Sequence, residues 1–458
     1  MPATPPNILL IIADDFGVHQ LGCTTPGGRG FFQTPHLDRL AAEGLRFTHA
    51  YATAPVCSPS RASLYTGLHP ARLHLTDFIP GARVSNPRLA TPPWQRSLPV
   101  AAVTLGDALK AGGYTTAHFG KWHFAPDYNY QPGRAMDPES QGFEEVVVTR
   151  KPPPEADPES DPHHVHALTD RVIAYCARPR SQPFCCVLAH NAVHRPELAP
   201  AALVDRYAAQ PDADSKTNRP VLGAMVEDLD RSIGRLLEAL RATGRDRDTL
   251  VVFTADHGAF GSSECRKPLR GAKADLFEGG VRVPLLLRWP GRIPAGAIRE
   301  QLVSGADVFP TLLATAGCRV EPALDGLDLW PVLRAAGHSL PRDTFFWHYP
   351  HYHHQGIGPC AAIRSGDFKL IEWFEPSLGA PGTAGAPACE LFNLAADPGE
   401  SRNLATVDPA RRDGLLRRLR DWRRAIGAQE MQLNPAYDPN LPTRLLPPAS
   451  DSPPPTSS

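Results

Sequence analysis

The sequence predicts an α/β protein: a mostly parallel central sheet sandwiched by helices, followed by a smaller C-terminal antiparallel sheet with one helix packed on it. Three observations carry that reading. Short apolar runs alternate with amphipathic helical patterns over most of the 458 residues, the order that builds parallel sheets covered on both faces. Two of those runs end on acidic residues, and open parallel sheets bind their ligands outside the carboxyl ends of strands. After about Pro341 the alternation gives way to strand-like runs separated by Gly- and Pro-rich turns.

Taken in order, "NILLIIA" (Asn7–Ala13) is a continuous apolar run, read as a buried strand, that runs into Asp14 and Asp15. "TPHLDRLAAEG" (residues 34–44) reads as a helix closed by glycine. "PVCSPSRASLYTG" (residues 55–67) places Cys57 beside a proline and an arginine at a helix start. "TLGDALKAGG" then "YTTAHFG" repeats the helix–strand order, as does "RPVLGAMVEDLDRSIGRLLEALRATG" followed by "TLVVFTADHG". In that long helix Val221, Met225, Leu229, Ile233, Leu236, Leu237 and Leu240 fall on one stripe. "VRVPLLLRWPG" adds a strand and "DVFPTLLATAG" a helix. Beyond Pro341, "TFFWHYPH", "CAAIRSGDFKLIEWFE" and "CELFNL" read as strands, with a final helix over Pro409–Ile426. The expected division is an α/β domain over residues 1–340, an α+β subdomain over 341–430, and a Pro-rich tail over 431–458 that ends in disorder.

Composition narrows the function classes. A formal charge of -1 at pH 7 argues against nucleic acid or an anionic membrane as the main partner, so an anionic ligand must be met by a local cluster of positive groups. No apolar run is long enough to cross a bilayer. The N-terminal segment lacks a basic start and reads as a core strand, not a signal peptide. Nine scattered cysteines form no CxxC pair, and Cys185 and Cys186 sit in an apolar run as small hydrophobes. A reduced, cytoplasmic setting is expected.

The two acidic strand ends, Asp14-Asp15 and Asp256-His257, follow near-identical apolar runs. Three carboxylates converging at one sheet edge repel unless a cation holds them. Oxygen ligands favour calcium or magnesium, while His257 also suits manganese or zinc.

At this point the motifs resemble those of the type I sulfatases, a formylglycine-dependent, arylsulfatase-like family within the alkaline phosphatase superfamily. "CSPSRASLYTG" resembles the family signature C-x-P-S-R followed by A-x-L-x-T-G. The likeness extends through "PNILLIIADDFG", "TPHLDRLAAEGLRFTHAYA", "GKWH", "TADHG", "LRGAKADLFEGGVRVPLLLRWPG" and "ELFNLAADPGESRNLA". It implies a sulfuric ester hydrolase acting on a sulfated carbohydrate or aryl sulfate. It also implies that a formylglycine-generating enzyme oxidises Cys57, reading Cys57, Pro59 and Arg61. A free thiol is a poor nucleophile toward a sulfate ester. A hydrated aldehyde has two hydroxyls, one to displace the alcohol and one whose deprotonation expels sulfate.

By position in the motifs, Asp14, Asp15, Asp256, His257 and the modified Cys57 would hold one divalent metal, calcium first and magnesium or manganese as alternatives. Arg61 would steady the modified side chain and the metal carboxylates, and Lys121 and His123 would contact sulfate and the formylglycine hydroxyls. His194 would protonate the leaving alcohol, and Lys273 would bridge sulfate and the leaving-group oxygen. The sequence departs from the family pattern at His190, where tyrosine is common, at Val193, where proline is common, at Leu68, where arginine is frequent, and at His257, where many members carry asparagine. His348 and His351 in "FWHYPHYHHQG", with Trp94 and Asn191, are the expected substrate contacts. Two other readings stand beside this one. One is a phosphonate monoester or phosphodiester hydrolase that keeps the fold and the formylglycine. The other is a non-catalytic binder of sulfated glycans in which Cys57 stays a thiol.

Overall fold

The structure is a computed structural model that describes residues 5–25, 30–126, 130–261, 269–319, 324–355 and 358–446. In chain order its first strands are β1 (Asn7–Ala13), β2 (Leu45–Tyr51), β3 (Arg83–Ser85), β4 (Leu89–Ala90) and β5 (Thr115–Gly120). Then come β6 (Glu145–Val148), β7 (Phe184–Ala189), β8 (Thr249–Ala255), β9 (Leu285–Arg288) and β10 (Ala297–Ser304). The C-terminal strands are β11 (Thr344–Tyr349), β12 (Cys360–Ser365), β13 (Phe368–Trp373), β14 (Cys389–Asn393), β15 (Gln432–Leu433) and β16 (Arg444–Leu446).

Eight strands form the central sheet in the order β10-β2-β9-β8-β1-β7-β5-β6. Only β9 runs against its neighbours; the other pairings are parallel. The β1 run is apolar throughout because both of its faces are covered, as the period-2 alternation of a strand requires. Leu9, Ile11 and Ala13 enter one core with the helices Pro35–Glu43, Val165–Ala177 and Pro220–Ala242. Ile8, Leu10 and Ile12 enter the other with Cys57–Thr66, Leu105–Ala111 and Val308–Ala316. Cys185 and Cys186, adjacent on β7, face opposite cores in the same way. The expected stripe on the long helix is buried from Met225 to Leu240, with Val221 packed at its margin. Gly44 closes the first helix for a reason other than a left-handed turn: a Cβ there would lie 2.3 Å from the Leu287 carbonyl oxygen, so only glycine lets the helix end meet β9.

The second sheet, β11-β12-β13-β14, is antiparallel throughout. Ala361, Ile363 and Leu370 on one face pack against Leu415 and Leu419 of the helix Pro409–Ile426. Trp347, Ala362, Ile371 and Phe392 on the other face pack against Tyr51, Phe277 and Val281 of the larger part. Residues 431–446, expected as tail, form structure: β15 pairs with β4 and β16 with β3, strapping the chain end to the excursion between the Cys57 helix and β5. The low-complexity end, residues 447–458, lies outside the described residues. Among the described residues no helix is long and apolar enough to cross a membrane.

Candidate active site

Register brings the two acidic strand ends together. Parallel β1 and β8 pair through Ala13 and Ala255, so Asp14-Asp15 and Asp256-His257 leave the sheet side by side. Asp15 takes a left-handed backbone conformation (φ 58°), uncommon outside glycine. The Asp15 amide donates to Asp256 Oδ1 at 3.2 Å. The loop after β7 is sewn to the same edge, with the Asp14 amide donating to the Ala192 carbonyl at 2.9 Å and the Val193 amide to the Asp14 carbonyl at 2.7 Å.

Cys57 opens its helix directly above this edge. Val56, extended at φ -138°, supplies no side-chain cap, so no neighbouring side chain claims the first-turn amides that favour an anion. The Ser60 hydroxyl donates to the Asp256 carbonyl, which pins the helix to the end of β8. One turn after Cys57, Arg61 is fully buried; its Nε donates to Asp256 Oδ2 at 2.9 Å, and its Nη2 lies 3.8 Å from Asp14 Oδ2. Gly120 at the end of β5 (φ 114°) needs its missing side chain, because a Cβ would come within 1.9 Å of the Ala189 carbonyl oxygen. That close approach delivers Lys121, whose Nζ donates to Asp14 Oδ2 at 2.6 Å. His123, also left-handed at φ 66°, donates from Nε2 to the Ile79 carbonyl at 2.7 Å. Lys273 donates to Asp15 Oδ1 at 2.8 Å and to Cys57 Sγ at 3.5 Å.

Asp14, Asp15, Cys57 and His257 each offer one donor atom, all within 4.8 Å of one another. His257 Nε2 is 3.2 Å from Cys57 Sγ and 3.3 Å from Asp15 Oδ1. Its Nδ1 lies 3.0 Å from the Gly258 carbonyl, the outer bond that aims Nε2 at the cluster. Asp15 Oδ2 is buried and accepts no hydrogen bond. An orphaned carboxylate oxygen among three further donors suits a divalent cation, so the residues present fit one. Asp256 stands at the margin of this set: its Oδ1 accepts the Asp15 and His257 amides, and its Oδ2 accepts Arg61.

The electrostatics follow the geometry. Burial raises the Cys57 thiol, but the ammonium groups of Lys121 and Lys273 overcome it and hold its pKa well below that of an ordinary thiol. Burial likewise raises Asp14, and Lys121, His194 and Arg61 bring it well below the usual carboxylate range. Asp256 is pushed up to about 6 by burial and by neighbouring Asp14. His194 carries Nε2 4.0 Å from Asp15 Oδ2, and its Nδ1 lies 2.7 Å from the Arg195 carbonyl. Burial and the Lys273 charge lower its pKa to about 4.

The expected substrate contacts fare differently. Asn191 is buried and donates to Thr149 Oγ1 at 2.7 Å. His190 is buried without a partner for either ring nitrogen. Trp94 lies edge-on to His351 at 5.6 Å and closes over Gly81. His348 and His351 are not turned to the cluster. Tyr349 of β11 packs with Val56 beside Cys57, so strand alternation sends His348 to the opposite face. There its Nε2 meets the Gln429 carbonyl at 2.8 Å. His351 is buried with Nε2 2.8 Å from Thr76 Oγ1. Both imidazoles are packing groups held by internal hydrogen bonds. Two residues further on, His353 and His354 stand on Phe78, which shares that small apolar cluster with Val56, Ala274 and Tyr349. Sequence reasoning chose His348 and His351 from the same segment and passed over these two, as it missed the anchoring role of Ser60, for which the signature motif was the available signal.

A parallel sheet whose strand ends gather carboxylates, an imidazole, a buried thiol and three fixed cations defines an α/β enzyme built around an anionic group. The comparisons specify it. The Sulfatase family model matches residues 6–318, and the model described as N-sulphoglucosamine sulphohydrolase, C-terminal, matches residues 272–421. Arylsulfatase A of Homo sapiens is 34% identical, over 88% of this chain and 84% of that protein. The crystal structure of Ps i-CgsB in complex with k-i-k-neocarrahexaose superposes with a TM-score of 0.72 at 26% identity, covering 92% of this chain and 93% of that one. The phosphonate monoester hydrolase of Agrobacterium radiobacter shares the fold at a TM-score of 0.69 and 24% identity, covering 92% and 96%. The chain belongs to the type I sulfatases; it is an alkaline phosphatase-like enzyme that hydrolyses sulfate esters.

Proposed function

We propose that this sulfatase removes sulfate from a sulfated carbohydrate, with aryl sulfates as simpler substrates, using Cys57 matured to formylglycine and one divalent cation, calcium first. The observation that carries the reading is the buried Cys57 Sγ, 3.5 Å from the Lys273 ammonium and 3.2 Å from His257, within a shell that also holds Lys121 and Arg61. Matured to a hydrated aldehyde, this position supplies one hydroxyl to displace the alcohol and a second whose deprotonation releases sulfate. Asp14, Asp15, His257 and the matured Cys57 would hold the cation, with Asp256 beside them; when bound it supplies Lewis acidity to the attacking hydroxyl and the sulfate oxygens.

The remaining chemistry belongs to the chain's own side chains. Lys121 and Lys273 neutralise sulfate, and their buried setting makes each charge worth more than in water. Arg61 keeps Asp256 and Asp14 in place. His194, one-fifth exposed beside Asp15, would hand a proton to the departing alcohol once the negative charge of bound sulfate offsets the burial and the Lys273 charge that keep the free imidazole neutral. Cys57 is only 1% exposed, which supports maturation by a separate enzyme before the fold closes.

The test is mass spectrometry of the peptide that spans Cys57 after co-expression with a formylglycine-generating enzyme, with hydrolysis assayed on the same sample. Formylglycine together with sulfate release supports the proposal, and an unmodified thiol in an active enzyme overturns it. One observation favours a second reading: His257 stands where many sulfatases carry asparagine, and histidine there suits phosphonate monoester hydrolases. Turnover of a phenyl phosphonate ester well above that of p-nitrophenyl sulfate would select it.

A further inference from the structure

The wall beside the nucleophile holds a donor that nothing among the described residues accepts. Val56 precedes Cys57 and Ala274 follows Lys273, and both pack on Phe78. On the Phe78 ring stand His353 and His354, with centroids at 5.4 and 5.8 Å, and the two imidazoles lie 4.1 Å apart. His354 is exposed, whereas His353 is completely buried. The Gln355 amide donates to His353 Nδ1 at 3.3 Å, so Nδ1 carries the lone pair and Nε2 carries the proton. That Nε2 is buried and has no hydrogen-bond partner. A buried donor left without an acceptor costs about 1–3 kcal/mol, and among the described residues this one waits within the field of the catalytic charges. Burial first, then His354, Lys273 and His257, keep the ring neutral against the opposing pull of Cys57.

We infer that His353 is a substrate-binding residue whose Nε2–H donates to an uncharged oxygen, a hydroxyl or ring oxygen, on the alcohol half of a sulfated sugar. Sulfate is already met by Lys121 and Lys273 around Cys57, and a neutral donor adds little to their grip on an anion. His353 is within the field of Lys273, Cys57 and His257 and lies against exposed His354. The inference rests on the proposal that the substrate is a sugar sulfate, and it adds a discriminating contact: a buried donor selects strongly against a ligand that leaves it unpaired.

The test compares kcat/KM on monosaccharides sulfated at defined hydroxyls with kcat/KM on p-nitrophenyl sulfate, for wild type, His353→Asn and His353→Gln. Asparagine retains an acceptor for the Gln355 amide and removes the donor at the Nε2 position; glutamine keeps a donor near it. We expect His353→Asn to lose about 10–100-fold on the best sugar sulfate and less than about 3-fold on the aryl sulfate, with His353→Gln restoring most of the loss. Equal losses on both substrates, no loss on the sugar, or an enzyme active on aryl sulfate alone would each overturn the inference while leaving sulfate ester hydrolysis intact. A wild type inactive on every sulfate ester would instead remove the reading beneath it. Should the asparagine variant not fold, nitrogen-15 NMR of wild-type His353 decides: its Nε2–H resonance should move on adding the desulfated sugar and stay still with inorganic sulfate, and the reverse result sinks the idea.

Discussion

Two buried charge clusters, one at the edge of the large sheet and one between the two sheets, use the same residue types for opposite ends. Between the sheets, Lys369 reaches Glu278 and Glu400 at 3.0 Å each, Tyr51 donates to Glu278 Oε2 at 2.7 Å, and Arg364 donates to Tyr51. The Glu278 amide donates to the other oxygen of Glu400 at 2.6 Å. These groups answer one another, Glu400 Oε1 through its ion pair with Lys369 alone, and clamp the smaller sheet to the larger part. At the active site, Lys121 and Lys273 are also paired, but with carboxylates that still leave Asp15 Oδ2 and Arg61 Nη2 without hydrogen bonds. A buried polar group kept without a partner is costly, and here two of them stand beside four converging donor atoms that fit a cation. The contrast teaches that burial and charge alone do not separate catalysis from architecture; the convergence of donor atoms does.

The contrast can be broken or sharpened by four measurements. Cys57→Ala should unfold at the wild-type temperature yet lose at least about 10⁴-fold in kcat on a sulfate ester, as expected for removing a covalent nucleophile. A near-normal rate would erase the distinction at once. Lys369→Met should do the reverse, costing about 3–5 kcal/mol of stability by leaving two buried carboxylates without their cation. Its kcat on the folded fraction should stay within about 3-fold of wild type, read by denaturant melts beside initial rates. Calcium at a hundredfold excess over its Kd should stabilise the wild type by about 2.7 kcal/mol in a thermal shift and leave Asp15→Ala unmoved. Calcium that stabilises both equally would place the ion elsewhere.

The smallest effect concerns pH. Burial, opposed by Lys369 and reinforced by Glu278, pushes the Glu400 pKa up from the ordinary 4.5 to about 7. The folded state therefore binds more protons than the unfolded state between those values, and stability falls as pH rises through that window. Glu400→Gln cannot titrate, so its stability relative to wild type should climb by on the order of 1–2 kcal/mol from pH 4.5 to pH 7 and then level off. A flat difference across the window would show that Glu400 holds no proton in the fold.

Most of the central sheet was legible because β1, β7 and β8 are covered on both faces and read as unbroken apolar runs. Cys57, the acidic strand ends and Lys121 were legible through motifs at a helix start and at the ends of β1, β5 and β8, and Lys273 through the motif "RGAKADLFEGG". The order of strands in the sheet, and the antiparallel entry of β9, depend on crossover connections that no local pattern records. His348 and His351 were misplaced for a similar reason. Resemblance to the family put the aromatic, histidine-rich segment near the pocket, but which imidazole faces inward is decided by the alternation of β11 and by the turn after it. The pairing of β15 and β16 with β3 and β4 was hidden because these are two- and three-residue strands in proline-rich stretches.

That last pairing has a bearing on how the enzyme is made. The Asn434 amide bonds the Arg88 carbonyl at 3.0 Å, and the Thr443 hydroxyl bonds the Asn86 carbonyl at 2.8 Å. They brace the same excursion that carries Ile79, whose carbonyl holds His123, and Trp94. Synthesis runs from the N-terminus, so this excursion is braced by residues made as many as 357 positions after it. A premature stop just before Met431 would yield a protein with its Cys57 helix complete and this excursion unbraced.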